Sequence, residues 1–365
     1  METLFTFSPT HTVDLILAPA LSVTAALTTD PYVNFRSGRR FKMQELTDDG
    51  DVLMPLTTCG VWNPVQIGMG GSQTLVAVDY EVNAEQCPLD FHDRILRGDE
   101  NYPVGYPQDA LTNQMETIGA LLLSRMVRKS VNRHAWFADT TIEAQIEAGD
   151  IDLSALSPGR AQRLINQQRM NDGLWTLAKY GVERDLIPFV NLYNGTNDYT
   201  TPAGIRTAMD AMITESPLNL QFDEQEGGDP VFFMSAKPFK ALETFYTNLG
   251  TEQANRILVD GQPDKRRLVY KGYDVICKPE FDQYQKDIGR AGKDAFIIFT
   301  ARQNATIIGN AEAYDASTSS AAFYVQKDPN PKAKGKTEMF GMFGMDFGWA
   351  STDLMTVAFN TTDLP

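Results

Sequence analysis

The stretch "VFFMSAKPFKALETFYTNLG", residues Val231 to Gly250, reads as a strand turned directly into a helix. Val231-Phe232-Phe233-Met234 is a compact apolar run. Ser235 suits a helix N-cap, Pro238 a first helical turn and Gly250 a left-handed stop. Between them Phe239, Leu242, Phe245, Tyr246 and Leu249 recur at three- and four-residue steps, the spacing of one helix face. A serine at such a turn either presents a nucleophile or caps the helix. The chain has three histidines, His11, His92 and His134, which leaves few bases for a nucleophile. The cap is the better reading.

Working outward, "LVYKGYDVICKPEF" (Leu268 to Phe281) reads as two strands about a turn at Lys271-Gly272, and Ala295 to Thr300 as a buried strand. Upstream, Pro202 to Ile213 reads as a helix capped by Thr200 or Thr201. Pro158 to Lys179 reads as helical with a break near Asn171-Asp172-Gly173, and Gly181 as its stop. The longest helix signal runs from Pro107 to about Arg133. Leu111, Met115, Ile118, Leu122 and Met126 hold one face, with acidic residues early and Arg125, Arg128, Lys129 and Arg133 late. These late cations suit the helix dipole and could also face a nucleic acid.

Both ends of the chain differ from this middle. The first forty-odd residues show no periodicity and finish in a basic run containing Arg36, Arg39, Arg40 and Lys42. From Thr47 to Glu81 a Gly-, Thr- and Val-rich stretch predicts a long two-stranded excursion, with Gly68, Gly70 and Gly71 at a flexible tip. Lys336 to Phe359 is aromatic and glycine-spaced without helical period, so it reads as β, and Lys327 to Lys336 reads as a polar loop. Helices and strands without regular βαβ alternation make the fold class α+β.

Composition narrows the chemistry. The 365 residues suffice for one large core or two moderate ones, and 47 acidic against 32 basic side chains give a net charge of −15. Long-range repulsion then disfavours a specific complex with DNA. Cys59, Cys87 and Cys277 lie far apart without metal-ligand spacing, and the odd count points to a reducing compartment. Val13 to Leu27 holds Asp14 and Pro19, which makes it a poor signal peptide and a poor membrane span. The chain reads as soluble and intracellular, and the sequons at Asn194, Asn304 and Asn360 as chance matches. "GMGGS" (Gly68 to Ser72) lacks the lysine and the following helix of a phosphate loop. Glu143, Glu147, Asp150 and Asp152 read as a solvated face before a cation site, and His134 beside Trp136 as a packed ring. No catalytic, cofactor or metal constellation is expected.

The order of parts is more informative than any motif. A loose arm, a β excursion, a spine helix, an α/β middle and a β return resemble the major capsid proteins of tailed double-stranded DNA bacteriophages, the Hong Kong 97 fold. The likeness is carried by Asn171-Asp172-Gly173-Leu174 before a helix, by the strand and helix of Val231 to Gly250, by Leu268 to Phe281, and by "AFIIFTARQNATIIG" (Ala295 to Gly309). It implies an N-terminal arm over 1–46, an extended β loop over 47–85, a peripheral domain with the spine helix over 86–172, an axial domain over 173–309, and a return to the peripheral domain over 310–365. It also implies a structural subunit that forms pentamers and hexamers of an icosahedral shell, located in the virion and assembled in the host cytoplasm. Its partners would be copies of itself, portal, scaffold or cementing proteins and, without sequence specificity, packaged DNA, with no membrane. Rival readings are an encapsulin-like compartment, a tail or baseplate part, and an intracellular α+β hydrolase.

A tiling subunit needs thin projections whose apolar residues are covered by neighbours. Trp62, Ile67 and Met69 on the excursion, and Arg36, Arg39, Arg40 and Lys42 on the arm, are the expected interface residues. The cations pair with a polyanion or, better, with carboxylates of a neighbouring copy. Some members of the family link subunits covalently through a lysine on the loop, but here no lysine occurs between Lys42 and Lys129. Particles boiled in detergent and reductant should therefore release one band at the chain mass of 40.6 kDa. A ladder of covalent multimers on the gel would contradict this.

Overall fold

The computed structural model describes residues 33–37, 40–47, 68–86, 130–192, 198–222, 229–249, 268–289, 295–302, 304–309, 323–327 and 337–360. The strands are β1 (Val33–Ser37), β2 (Arg40–Thr47), β3 (Gly68–Val76), β4 (Val78–Gln86), β5 (Phe189–Asn191), β6 (Val231–Met234), β7 (Leu268–Tyr270), β8 (Tyr273–Cys277), β9 (Phe296–Thr300), β10 (Ala305–Gly309), β11 (Phe323–Lys327), β12 (Thr337–Trp349) and β13 (Met355–Phe359). The helices are α1 (130–137), α2 (Ile142–Ala148), α3 (Pro158–Gln168), α4 (Leu174–Glu183), α5 (Pro202–Glu215), α6 (Leu218–Phe222), α7 (Ala236–Asn248) and α8 (Glu280–Asp287). Among the described residues no helix is long and apolar enough to cross a membrane.

A mixed sheet of order β5-β13-β9-β6-β8-β7 organises the middle of the molecule. Every residue of β6, β9 and β13 is buried, which explains why these strands read as apolar runs. Their side chains alternate between two cores. Val231, Phe233, Phe296, Ile298, Val357 and Phe359 face one, with Trp136, Phe137, Trp175 and Phe281. Phe232, Met234, Ile297, Phe299 and Ala358 face the other, with Ile205, Met209, Met212 and Leu242 of α5 and α7. Period-two strands buried on both faces thus build a three-layer body with helices outside.

The hairpin β7–β8 turns at Lys271-Gly272, both at positive φ (50° and 94°), the mirror-image turn whose twist suits a two-residue connection. Thr201 caps α5 by accepting the Gly204 N–H at 3.0 Å. The helix break expected near 171–173 falls between α3 and α4. Gly181 does not stop α4, which continues to Glu183. A Cβ there would come 2.2 Å from Ile187 Cδ1, so glycine lets the helix approach the chain that leads into β5.

A second, five-stranded sheet uses the chain ends. β1 pairs parallel with β10, and β10 pairs antiparallel with the far end of β12. β11 and β4 pair with the first part of β12. The two-stranded ribbon of β2 and β3 lies beside it. Two expectations change here. Residues 33–47 show no strand periodicity, yet they form β1 and β2, because their partners are remote strands and not local pattern. Gly68, Gly70 and Gly71 lie within β3, not at a tip. Gly70 and Gly71 stand where the register with β2 shifts between Gln44 and Leu46. The chain divides at Ala77, β3 staying with β2 and β4 joining β12. Of the expected spine helix, 107–129 lies outside the described residues, as does the polar loop over 328–336.

Replacing Gly181 with Ala should cost about 1–3 kcal/mol, since the added methyl meets a packed side chain. Combined with Ile187→Ala, the two losses should add to less than their sum in urea denaturation. Full additivity would mean that the contact does not limit α4.

Candidate functional site at the base of the ribbon

Ser235 holds the backbone position of a helix N-cap, but its hydroxyl does not cap α7. It is fully buried and accepts the Phe296 N–H at 3.2 Å, while the Ser235 N–H donates to the Phe296 carbonyl at 3.1 Å. The β6–β9 ladder therefore runs one residue further. The first free amide of the helix, Ala236 N–H, donates to Asp282 Oδ2 at 2.8 Å from α8. The capping expectation was correct in position and wrong in the group that does it. The serine is architecture.

Of the expected interface residues, Arg36 falls on β1 at the edge of the second sheet, and Arg40, Lys42 and Met69 fall on the ribbon. Arg36 on β1 is exposed, its guanidinium carbon 5.7 Å from the centre of the Phe41 ring. Arg40 and Lys42 on β2 are exposed as well, opposite Val76 and Thr74. Met69 stands on β3 opposite Leu46. Arg39, Trp62 and Ile67 lie outside the described residues. Glu143, Glu147, Asp150 and Asp152 are all exposed. Among the described residues no group of three or more metal-ligating side chains comes together. Burial pushes the Cys277 thiol up to about 12, helped by Asp282 and Glu280.

Where the ribbon meets the sheet, its two faces differ. Met43 and Leu75 are buried against Ile308 of β10, whereas Arg40, Lys42, Thr74 and Val76 alternate with them and are exposed on the other face. The ribbon crosses β12 at Gly348, where a Cβ would come 2.8 Å from Leu75 and 3.1 Å from Met43. Just beyond the crossing, the Val76 N–H donates to Asp346 Oδ2 at 2.8 Å.

Asp346 belongs to a polar node that sequence reading missed. Its Oδ1 accepts from the Asn171 amide at 3.1 Å and from the Phe347 N–H at 2.9 Å. Asn171, in the break between α3 and α4, also points its amide nitrogen at the Met345 carbonyl, 3.5 Å away. Both partners are acceptors, which orients the side chain and turns Asn171 Oδ1 toward Tyr80 and His134. The Tyr80 hydroxyl donates to that oxygen at 2.5 Å, and His134 Nε2 lies 2.6 Å from it and 2.6 Å from the hydroxyl. With the phenol proton committed to Asn171, Nε2 carries the imidazole hydrogen. His134 is fully buried, edge-on to Tyr80 and Phe347, and burial pulls it down to about 4, with the Asn171 bond opposing and Arg133 adding to the fall. Burial also raises Tyr80, reinforced by the Asp346 charge. The node thus joins β4, α1, the helix break and β12 through neutral His and Tyr around one carboxylate. Asn171 had signalled only a helix break, and His134 only a packed ring. Nothing in the sequence links positions so far apart.

No family model matches the chain, and no curated protein matches it. Solved structures do. A chain of the satellite phage P4 procapsid, in a structure that includes the size determination (Sid) protein, is 13% identical with a TM-score of 0.53, over 97% of this chain and 92% of that one. The capsid of Myoviridae phage XM1 is 10% identical with a TM-score of 0.48, over 92% of both chains. The virus-like particle from Pyrococcus furiosus is 9% identical with a TM-score of 0.44, over 94% and 98%. At these identities the likeness concerns the fold alone, and the P4 procapsid chain carries it. The fold is the Hong Kong 97-type capsid fold.

Asn171→Ala removes one side chain from four partners in a nearly buried setting. It should cost about 2–4 kcal/mol, beyond the loss of a single hydrogen bond. Thermal or urea unfolding would check it, and a loss below about 0.5 kcal/mol would mean that solvent replaces the contacts.

Proposed function

We propose that this chain is a structural subunit that self-assembles into the closed icosahedral shell of a tailed bacteriophage, as pentamers and hexamers around double-stranded DNA. The observation that carries the reading is the capsid fold, matched to the P4 procapsid chain over nearly the full length of both. The ribbon supports it. One face of its base is bound to the subunit's own sheet and the other is solvent-facing, as a surface laid across a neighbour requires.

In this reading Arg36, Arg39, Arg40 and Lys42 meet carboxylates of the next subunit, and Trp62, Ile67 and Met69 supply apolar contacts further out. The acidic balance of the chain favours carboxylate partners over the packaged genome for these cations. Portal, scaffold or cementing proteins would be further partners, and the product would reside in the virion. The subunit acts by packing and carries no chemistry of its own. The buried, backbone-bonded Ser235 weakens the hydrolase alternative, since its hydroxyl faces no solvent.

Negative-stain microscopy of the purified protein should show closed shells or capsomers. Tubes would favour a tail component, monomers under every assembly condition would overturn the proposal, and shells filled with protein cargo would favour a compartment. Neutralising Arg39 and Arg40 together should lower the heat stability of empty shells, with the deficit shrinking as salt shortens the screening length below about 10 Å. If only DNA-filled shells suffer, the cations serve the genome.

A further inference from the structure

His134 is bonded on one side and bare on the other. Nε2 is shared between the Tyr80 hydroxyl and Asn171 Oδ1, and Nδ1 is buried with no hydrogen-bond partner. A neutral ring fits this setting, because its Nδ1 lone pair loses little by being unpaired. An imidazolium does not fit, because it would bury an unmatched N–H together with a charge.

The groups around the ring offer it no compensation. On α1 the neighbouring Arg133 has the same sign, and its guanidinium is engaged by Asp287 at 2.9 Å. On β4 the facing group is the Tyr80 phenol. From the helix break come the neutral Asn171 and Asp172, whose Oδ1 is taken by the N–H and hydroxyl of Thr140. On β12, Asp346 is the nearest carboxylate in the network, and its oxygens already accept from Val76, Phe347 and Asn171. Turning Asp346 toward the ring would break the bonds that hold β3 to β12.

We propose that His134 is a proton-operated latch: neutral, it holds Tyr80 and with it the base of the ribbon against β12, and on protonation it releases them. The latch is a property of the single subunit and does not depend on a shell being formed. Opening gives the ring water and Nδ1 a partner, so an open state titrates in the ordinary range of free histidine, about 6.5. The sign follows. A group depressed in the closed state adds closure stability above its open-state value and loses that stability as pH falls toward its closed-state value. With those two values, moving from pH 7 to pH 5 should raise the ratio of open to closed subunits about 20-fold.

Hydrogen exchange with mass spectrometry on the full chain, corrected for intrinsic rates, reads this directly. Protection over 73–86 and 130–137 should fall about 20-fold between pH 7 and pH 5, while the central strands β9 and β13 keep theirs. His134→Gln supplies an amide near the place of Nε2 but cannot titrate, so its ribbon protection should be flat with pH. Equal acid sensitivity in this variant, no change in the wild type, or loosening of the whole core together would each overturn the latch. If the variant does not fold, histidine C2-hydrogen exchange in the wild type decides. His134 titrating well below the free-histidine value of about 6.5 supports the latch, and His134 titrating near that value overturns it.

Discussion

The Asn171 side chain holds the peripheral parts of this molecule together. Its amide nitrogen faces Asp346 and its oxygen faces Tyr80 and His134, so one residue in a helix break joins four segments. Remove it and β4, α1 and β12 keep their own hydrogen bonds but lose their common point. The central sheet needs no such device. Its strands are buried on both faces, and its two cores are filled by side chains that alternate at period two. The node is needed where the ribbon leaves the sheet, because among the described residues the apolar support there is a small cluster of Met43, Leu75 and Ile308 with Phe41 and Ala77 packed against it.

This division of labour matches the role proposed for the chain. A shell subunit needs a rigid body and a projection whose direction is controlled at its root. Gly348 lets the ribbon lie close over β12, and the Val76–Asp346 bond sets its exit. A charge at the root is held by three donors, and the two titratable rings beside it are kept neutral by burial, which makes the joint stiff near neutral pH.

Local pattern made the middle of the molecule legible. Val231 to Met234, Ala295 to Thr300 and the Lys271-Gly272 turn carry their structure in neighbouring residues, and the structure forms each of them. The strands at 33–47 were not legible, because β1 pairs with β10 and β2 with β3, and no nearby residue announces either partner. Ser235 shows a subtler limit. Its position before a helix is visible in sequence, but the hydroxyl is drawn to Phe296 and the cap passes to Asp282, 46 residues beyond Ala236. The node is the extreme case: Tyr80, His134, Asn171 and Asp346 are ordinary residues whose meeting is a consequence of the fold.

The central claim is that the ribbon is the part of the subunit given over to its neighbours. Amide exchange compared between dissociated subunits and assembled particles at one pH tests it most directly. Protection should rise on assembly over 40–47 and 68–76 and stay unchanged over 296–300 and 355–359, which the subunit already buries by itself. Unchanged ribbon protection, with the gain elsewhere on the body, would contradict the account.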